Sequence, residues 1–363
     1  MFKVFISASS LERMCLDEMD KDQKQQSSWF LILSKQNVIY LDKDIWSEWF
    51  AKGDDYISEP LYLFSSSNGV EFRTSASNFN TNYEKEPDIF LKEPQAAYLL
   101  DVDKETALSL QEKYGVLCQS TEDLKDCPID VKEKKISLYP SRKNHSWEDV
   151  FSTVKKIPAN ALVIVDRYIF SFENTYRSTC FDGLKNVKDI LNNALPKQLN
   201  RDFHVLIIFD NESIDNEFDL IKFANALEFY KKNELKRPYN IIIELYSISN
   251  KCFNYEQTHN RKIISNYYMA YADHMIKAFA QTGKPICRQN IRVEGAFSHG
   301  LHDDLADTTI FEIQEDLKEL GSLHQQAIKE MSLNTELAEE YDAICGIDEE
   351  TNVPDIKNRL ILI

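Results

Sequence analysis

Beyond residue 160 the chain alternates short, unbroken apolar runs with longer amphipathic ones. "ALVIVDRYIF", "FHVLIIFDN" and "YNIIIELYS" carry Ile, Val and Leu with little polar alternation, the pattern of strands covered on both faces. Between them, "FDGLKNVKDILNNAL" places apolar residues at 184, 187, 190, 191 and 195, one face of a helix. "NEFDLIKFANALEFYKKN" predicts a second helix, and "RKIISN" and "YYMAYA" predict a hairpin with Asn266 at its turn. Residues 159–304 are therefore expected to form an α/β domain whose sheet is covered by helices.

The first 130 residues predict a separate α/β domain. "KVFISASS" reads as a short strand, "WFLILSKQNVIYLDKD" as two strands around a polar turn, and "EPLYLFSSSNGVEFRTS" as a hairpin turning at Asn68-Gly69. "AAYLLDVDKETALSLQEKYGVLCQS" predicts strand, helix and strand, with Asp103 capping the helix and Gly115 ending it in a left-handed conformation. Residues 131–158, polar and holding Pro140 and Pro158, read as a linker. From 305 to 363 an acidic helical tail is expected. Thr309 and Glu312 stand at capping-box spacing, Ile310, Ile313, Leu317 and Leu320 on one face, and "RLILI" reads as a terminal strand.

Composition narrows the class. The chain has 363 residues, is 43% apolar and 12% aromatic, and so can bury a real core. Its seven cysteines are scattered and never spaced as C-x-x-C, which predicts reduced thiols and a cytoplasmic setting. "MFKVFISASSLERM" does not read as a signal peptide, and no apolar run is long enough to predict a membrane span. The net charge of −17 disfavours nonspecific binding of nucleic acid, but its distribution is uneven. Residues 1–150 carry −9, residues 151–297 carry +4, and residues 298–363 carry −12. A basic block between acidic ones is a candidate anion site.

That block contains "THNRKIISNYYMAYAD", where His259 and Arg261 are expected on one face of a strand with Lys262 beside them. An earlier strand ends in Asp166-Arg167, so further charge is expected at one end of the same sheet. Imidazole as nucleophile or acid, with fixed cations to hold a phosphate, is the equipment of phosphoryl transfer. The alternative is a histidine that merely finishes a strand. "SHGLHDDLAD" brings His299, His302 and Asp303 together as a candidate zinc or manganese site, or else as a polar loop. No motif implies a cofactor.

Over residues 160–297 these features resemble the phospholipase D superfamily, whose signature is His, one residue, Lys, four residues, Asp. His259 stands at the His position, Arg261 at the Lys position and Asn266 at the Asp position. "AYADHM" stands where the family carries a Gly/Ser element. The pattern is closer to the divergent PLD-like domain at the C-terminus of MIT-domain proteins and in bacterial conflict systems. The resemblance implies binding of phosphate or phosphodiester groups, with His259, Arg261 and Asn266 as the catalytic positions of a nuclease. Lys262, Arg167 and Asp166 would then be the phosphate-handling residues. With a single motif it also implies a homodimer. A bacterial cytosolic protein of defence against viruses or mobile elements is the expected setting, with nucleic acid or another phosphodiester as partner. The rival expectation is a noncatalytic subunit that uses the PLD-like fold as a scaffold in a protein complex. Around Asp101 and Asp103 the chain also resembles the closing part of PIN-like nuclease domains, although Ser7 and Ser9 occupy positions where that family has an acidic residue.

Overall fold

Phe2–Ile6 (β1) is the hydrophobic centre of the first sheet, and four of its five residues are buried. In the computed structural model Phe5 lies across from Tyr40 of Asn37–Leu41 (β2) and Tyr98 of Ala97–Leu100 (β4). The three rings form a row at centroid separations of 4.7 and 4.8 Å, the cross-strand pairing that stabilises sheets. With Glu71–Thr74 (β3) and Leu117–Ser120 (β5), these strands make a parallel sheet in the order β3-β2-β1-β4-β5. The structure describes residues 1–18, 21–22, 25–35, 37–43, 70–76, 78–124, 126–141, 145–210, 214–248, 261–298, 309–333, 343–344, 346–347 and 354–361.

The chain divides into two compact units, residues 1–132 with 296–312, and residues 133–295 with 313–363. In the first, Ala8–Glu18 (α1) follows β1, and Lys104–Tyr114 (α3) links β4 to β5. As expected, Asp103 accepts a hydrogen bond from the Thr106 amide at 2.8 Å, and Gly115 has φ 64°. One expectation fails between α1 and β2. "SWFLIL" is not a strand but a helix, Ser28–Leu33 (α2), because Ser27 caps it by accepting from the Phe30 amide. The expected hairpin turn at Asn68-Gly69 lies outside the described residues, and β3 pairs with β2 in parallel.

The second unit is built on a mixed sheet in the order β9-β8-β7-β10-β11-β12-β6, with the two-residue strand Ala343–Ile344 paired antiparallel to the outer side of β9. Ala161–Val165 (β7), Phe203–Asp210 (β8) and Ile241–Ile248 (β9) run parallel, with Cys180–Ala194 (α4) and Leu220–Tyr230 (α5) in the connections. Lys262–Ser265 (β10), Tyr268–Ala272 (β11) and Gln289–Gly295 (β12) continue the sheet antiparallel. The stretch 131–158 is not a linker. Lys134–Leu138 (β6) pairs with β12, and a short helix, Trp147–Phe151, follows. Ile136 and Leu138 are buried while Lys134, Lys135 and Ser137 are polar, so a strand at the sheet's edge has the composition of a charged loop.

One face of this sheet buries Val163, Val165, Leu206, Ile208, Ile264 and Met269 against Ile313 and Leu317 of Thr309–Leu333 (α6). Leu360 and Ile361 join the same core from a turn rather than the terminal strand expected of "RLILI". On the other side, Asn186 of α4 is a fully used hub. It accepts from Trp147 Nε1 at 2.8 Å and from the Phe279 amide, and donates to the carbonyls of Asp182 and Phe279. Among the described residues no helix is long and apolar enough to cross a membrane, and the described cysteines are all free and buried.

Candidate functional site

Parallel strands end together, and antiparallel neighbours begin or end there according to register. In the second unit this brings six chain segments to one rim of the sheet. Val165 lies opposite Lys262, Lys262 opposite Tyr271, Tyr271 opposite Arg292, and Arg292 opposite Lys135. The residues one or more steps beyond that row are Asp166-Arg167-Tyr168 after β7, Arg261 before β10, Asp273-His274 after β11, Arg288-Gln289 at the start of β12, and Tyr139 after β6. Asp210 ends β8 at the same rim.

Asp166 is fully buried and shapes the loop after β7. Its carboxylate accepts from the Tyr168 amide at 2.9 Å and the Ile276 amide at 2.6 Å. Burial pushes its carboxyl above the usual range, against those amides and the charges of Arg261 and Lys277. Lys277 is also buried and donates to the Ser171 carbonyl at 2.5 Å, and burial pushes its ammonium down. Arg167 Nε lies 2.5 Å from Asp210 Oδ2, an ion pair between two buried side chains. The Tyr168 ring sits near two guanidinium groups, Arg167 at 5.4 Å and Arg261 at 5.8 Å from its centroid.

Arg261 is half-buried and donates through Nη1 to the Asp273 carbonyl at 3.1 Å. Its Nε is buried and has no partner among the described residues. Next to it, the exposed Asp273 carboxylate accepts from the Asn290 side chain at 2.7 Å and its amide at 3.2 Å. Gln289 is buried; its Oε1 accepts from the amides of His274 and Met275, at 3.2 and 3.1 Å. Gln289 Nε2, by contrast, is a buried donor without a partner among the described residues, at a cost of about 1–3 kcal/mol. Exposed Arg288 lies over the Tyr139 ring at 5.3 Å. Ser137, Tyr139, Asp273, His274, Arg288, Gln289 and Asn290 enclose a hollow of about 280 Å³.

The structure thus gathers Asp166, Arg167 and Arg261 at one rim, where charge was expected. It does not bring Lys262 or Asn266 there. Lys262 points to the α6 face, where its Nζ meets Asp316 at 2.6 Å, because successive strand residues face opposite ways. Asn266 is fully buried at the far end of β10, five residues or roughly 16 Å from Arg261 at about 3.3 Å per residue. It accepts from the amides of Asn160 and Ala161 at 3.0 and 3.3 Å and donates to Asn160 Oδ1, so it pins the hairpin turn to the start of β7. His259, His299, His302 and Asp303 lie outside the described residues.

Arg288, Gln289, His274 and Tyr139 escaped the reading of the sequence. Their signal was present: Asp273-His274 directly follow an alternating run, and Arg288-Gln289 directly precede another. Recognising β12 and β6 as strands would have placed both pairs, and Tyr139, at the Arg261 end.

In the first unit the strand order reverses between β1 and β4, the position where open α/β sheets leave a crevice. Ser7, Ser10 and Thr121 meet there in a hydroxyl chain, Ser7 to Ser10 at 2.5 Å and Ser10 to Thr121 at 3.2 Å. Asp101 is exposed, and Asp103 is used as the α3 cap. Among the described residues no group of three or more His, Cys, Asp or Glu side chains gathers as a metal site. No protein-family model matches the sequence, and no curated protein does.

Proposed function

We propose that the second unit binds phosphate or phosphodiester groups at this rim, and that binding rather than cleavage is its role. The reading is carried by the register, which sets Arg261 and Arg288 on the strands either side of Asp273-His274, at the rim formed by the carboxyl ends of the parallel strands. Two buried charges, Asp166 and Lys277, stiffen the loops beneath them. A guanidinium partly sunk in the protein but still reachable holds a phosphate oxygen at small entropic cost. Cleavage of the phospholipase D kind needs the position occupied by Asn266, and that side chain is committed to a turn at the other end of the strand.

The test is fluorescence anisotropy with a labelled single-stranded oligonucleotide across a salt series. Arg261→Ala and Arg288→Ala should each weaken binding and lower the salt slope by about one. Absence of binding by the parent protein at low salt would sink the reading. His259→Ala adds the catalytic arm: a hydrolysis rate that this substitution abolishes, with affinity intact, would favour a nuclease.

A second reading, an interaction scaffold, draws on the exposed Phe172, Phe181 and Ile221, apolar side chains on the loop after β7 and the first turns of α4 and α5. Sedimentation over a concentration series separates the two, since a scaffold keeps its assembly when Arg261 is lost.

A further inference from the structure

We infer that the open edge of β6 takes an extended, acidic peptide segment of a partner protein as an additional strand of the second unit's sheet. This holds whatever the rim binds.

β6 stands last in its sheet, and among the described residues it pairs with β12 alone. The direction of its backbone groups follows from the neighbouring ladder. The Ala272 amide donates to the Arg261 carbonyl, and the Asp273 amide to the Asn290 carbonyl at 3.1 Å. Asn290 therefore faces β11, and the next residue, Ile291, faces β6, where it lies opposite Ile136. By the same alternation Ile136 turns its amide and carbonyl to β12, while Lys135 and Ser137 turn theirs outward. Neither of these two has an outward backbone partner among the described residues.

Space for such a partner lies beside them. A hollow of about 400 Å³ is lined by Lys134, Lys135, Ile136 and Ser137. Consecutive strand residues point to opposite faces, so a hollow that touches all four runs along the flank of the strand. Open amides and carbonyls beside free space are what the addition of a strand requires.

Charge decides the occupant. Lys135 lies directly opposite Arg292, and both side chains are exposed. Like charges in that arrangement repel, and among the described residues no carboxylate pairs with either. A carboxylate on the incoming strand, beside Lys135 on the same face, offsets that repulsion. Lys134 adds little, because its Nζ is held by the Asp149 carbonyl and Ser152 Oγ, both at 2.6 Å. A second copy of this chain fits less well, since pairing β6 with β6 would bring further lysines to the same seam.

The test follows backbone amide hydrogen exchange in the full-length protein by NMR, without and with a heptapeptide of alternating Glu and Val. Before addition, the Lys135 and Ser137 amides should exchange about tenfold faster than those of Ile136 and Leu138. The acidic peptide should slow them, and should bind about tenfold more tightly than a Lys/Val counterpart. A fully N-methylated acidic peptide should not bind, and Lys135→Glu should reverse the preference between the two charged peptides. Ser137→Pro should abolish binding with little change in melting temperature, because the lost amide points away from β12. If that variant folds poorly, Lys135→Glu and the methylated peptide decide. No protection by either peptide, binding that survives N-methylation, or indifference to Lys135→Glu overturns the added strand. Protection that grows with protein concentration alone assigns the edge to a second copy, and protection by an oligonucleotide but no peptide assigns its lysines to nucleic acid. Both outcomes also overturn the proposal. Arg261→Ala should leave peptide binding unchanged, so the edge and the phosphate reading of the rim stand or fall separately.

Discussion

Asn266, at a hairpin turn, and His204, in a strand, show how a polar side chain can be wholly structural. Asn266 satisfies two amides and a side-chain oxygen in a region from which water is excluded. Asn266→Ala leaves those groups unpaired and should cost about 2–3 kcal/mol in urea unfolding. Ligand affinity at the Arg261 end should be unchanged, and a selective loss of affinity would return this residue to the site. His204, on β8, packs its Nδ1 against the Lys357 carbonyl. Burial first, and then the charge of Arg359, push its pKa down to about 4. The unfolded chain's histidine titrates near 6.5, so between about 6.5 and 4 the unfolded state binds the extra proton. Stability from this group is present above that window and is lost as pH falls through it, on the order of 2–3 kcal/mol by pH 4. His204→Gln should flatten that part of the profile of unfolding free energy against pH. Identical slopes for parent and variant would show that other groups control acid sensitivity.

Among the elements, α4 matters most to the rim because it presses on the loop that carries Asp166-Arg167-Tyr168. A Cβ on Gly183 would stand 1.8 Å from the Ile169 carbonyl oxygen, so backbone and helix touch where only glycine fits. Gly183→Ala must displace one of them, at a cost of at least about 3 kcal/mol. The melting temperature should drop by roughly 6–12 °C. Because Ile169 directly follows Tyr168, oligonucleotide binding should weaken as well. A variant that melts normally and binds normally would mean that helix and loop separate more easily than their packing implies. The antiparallel elements contribute differently. The pairing of β11 with β12 and of β12 with β6 makes neighbours of His274, Gln289 and Tyr139, which are scattered along the sequence.

For the whole molecule, the acidic C-terminal stretch is part of the second unit's core rather than an appendage. Ile313, Leu317, Ile356, Leu360 and Ile361 lie in the same buried cluster as Val163, Val165 and Leu206. Each such side chain is worth about 1.5–3 kcal/mol, against a total stability of roughly 5–15 kcal/mol for a typical domain. Truncation before Ile313 would also strip Lys262 of Asp316. A protein ending there should lose cooperative unfolding, seen by circular dichroism during a thermal ramp, instead of gaining affinity for anions by shedding its negative charge. A sharp transition with tighter oligonucleotide binding would show that the tail acts as an electrostatic competitor.

The sequence by itself determined the α/β class and, in the second unit, the strands β7 to β11 with the helices α4, α5 and α6, but neither β6 nor β12; periodicity of burial is a local property written at intervals of two or of 3.6 residues. It also determined the Asp103 and Gly115 caps, which depend only on neighbours within one turn. Its failures share one cause. "SWFLIL" and "EKKISLYP" are short and read either way, so a serine cap settled the first and a partner strand the second. The site was legible only in part for a related reason. Asp166, Arg167 and Arg261 stand at visible strand ends, but the removal of Lys262 to the opposite face and the burial of Asn266 depend on α6 and on the start of β7. Arg288, Gln289 and Tyr139 become neighbours only through strand pairing across the sheet. That pairing joins residues as far apart as 137 and 290, and only the tertiary structure could decide it, because no local pattern records which edge a distant strand will fill.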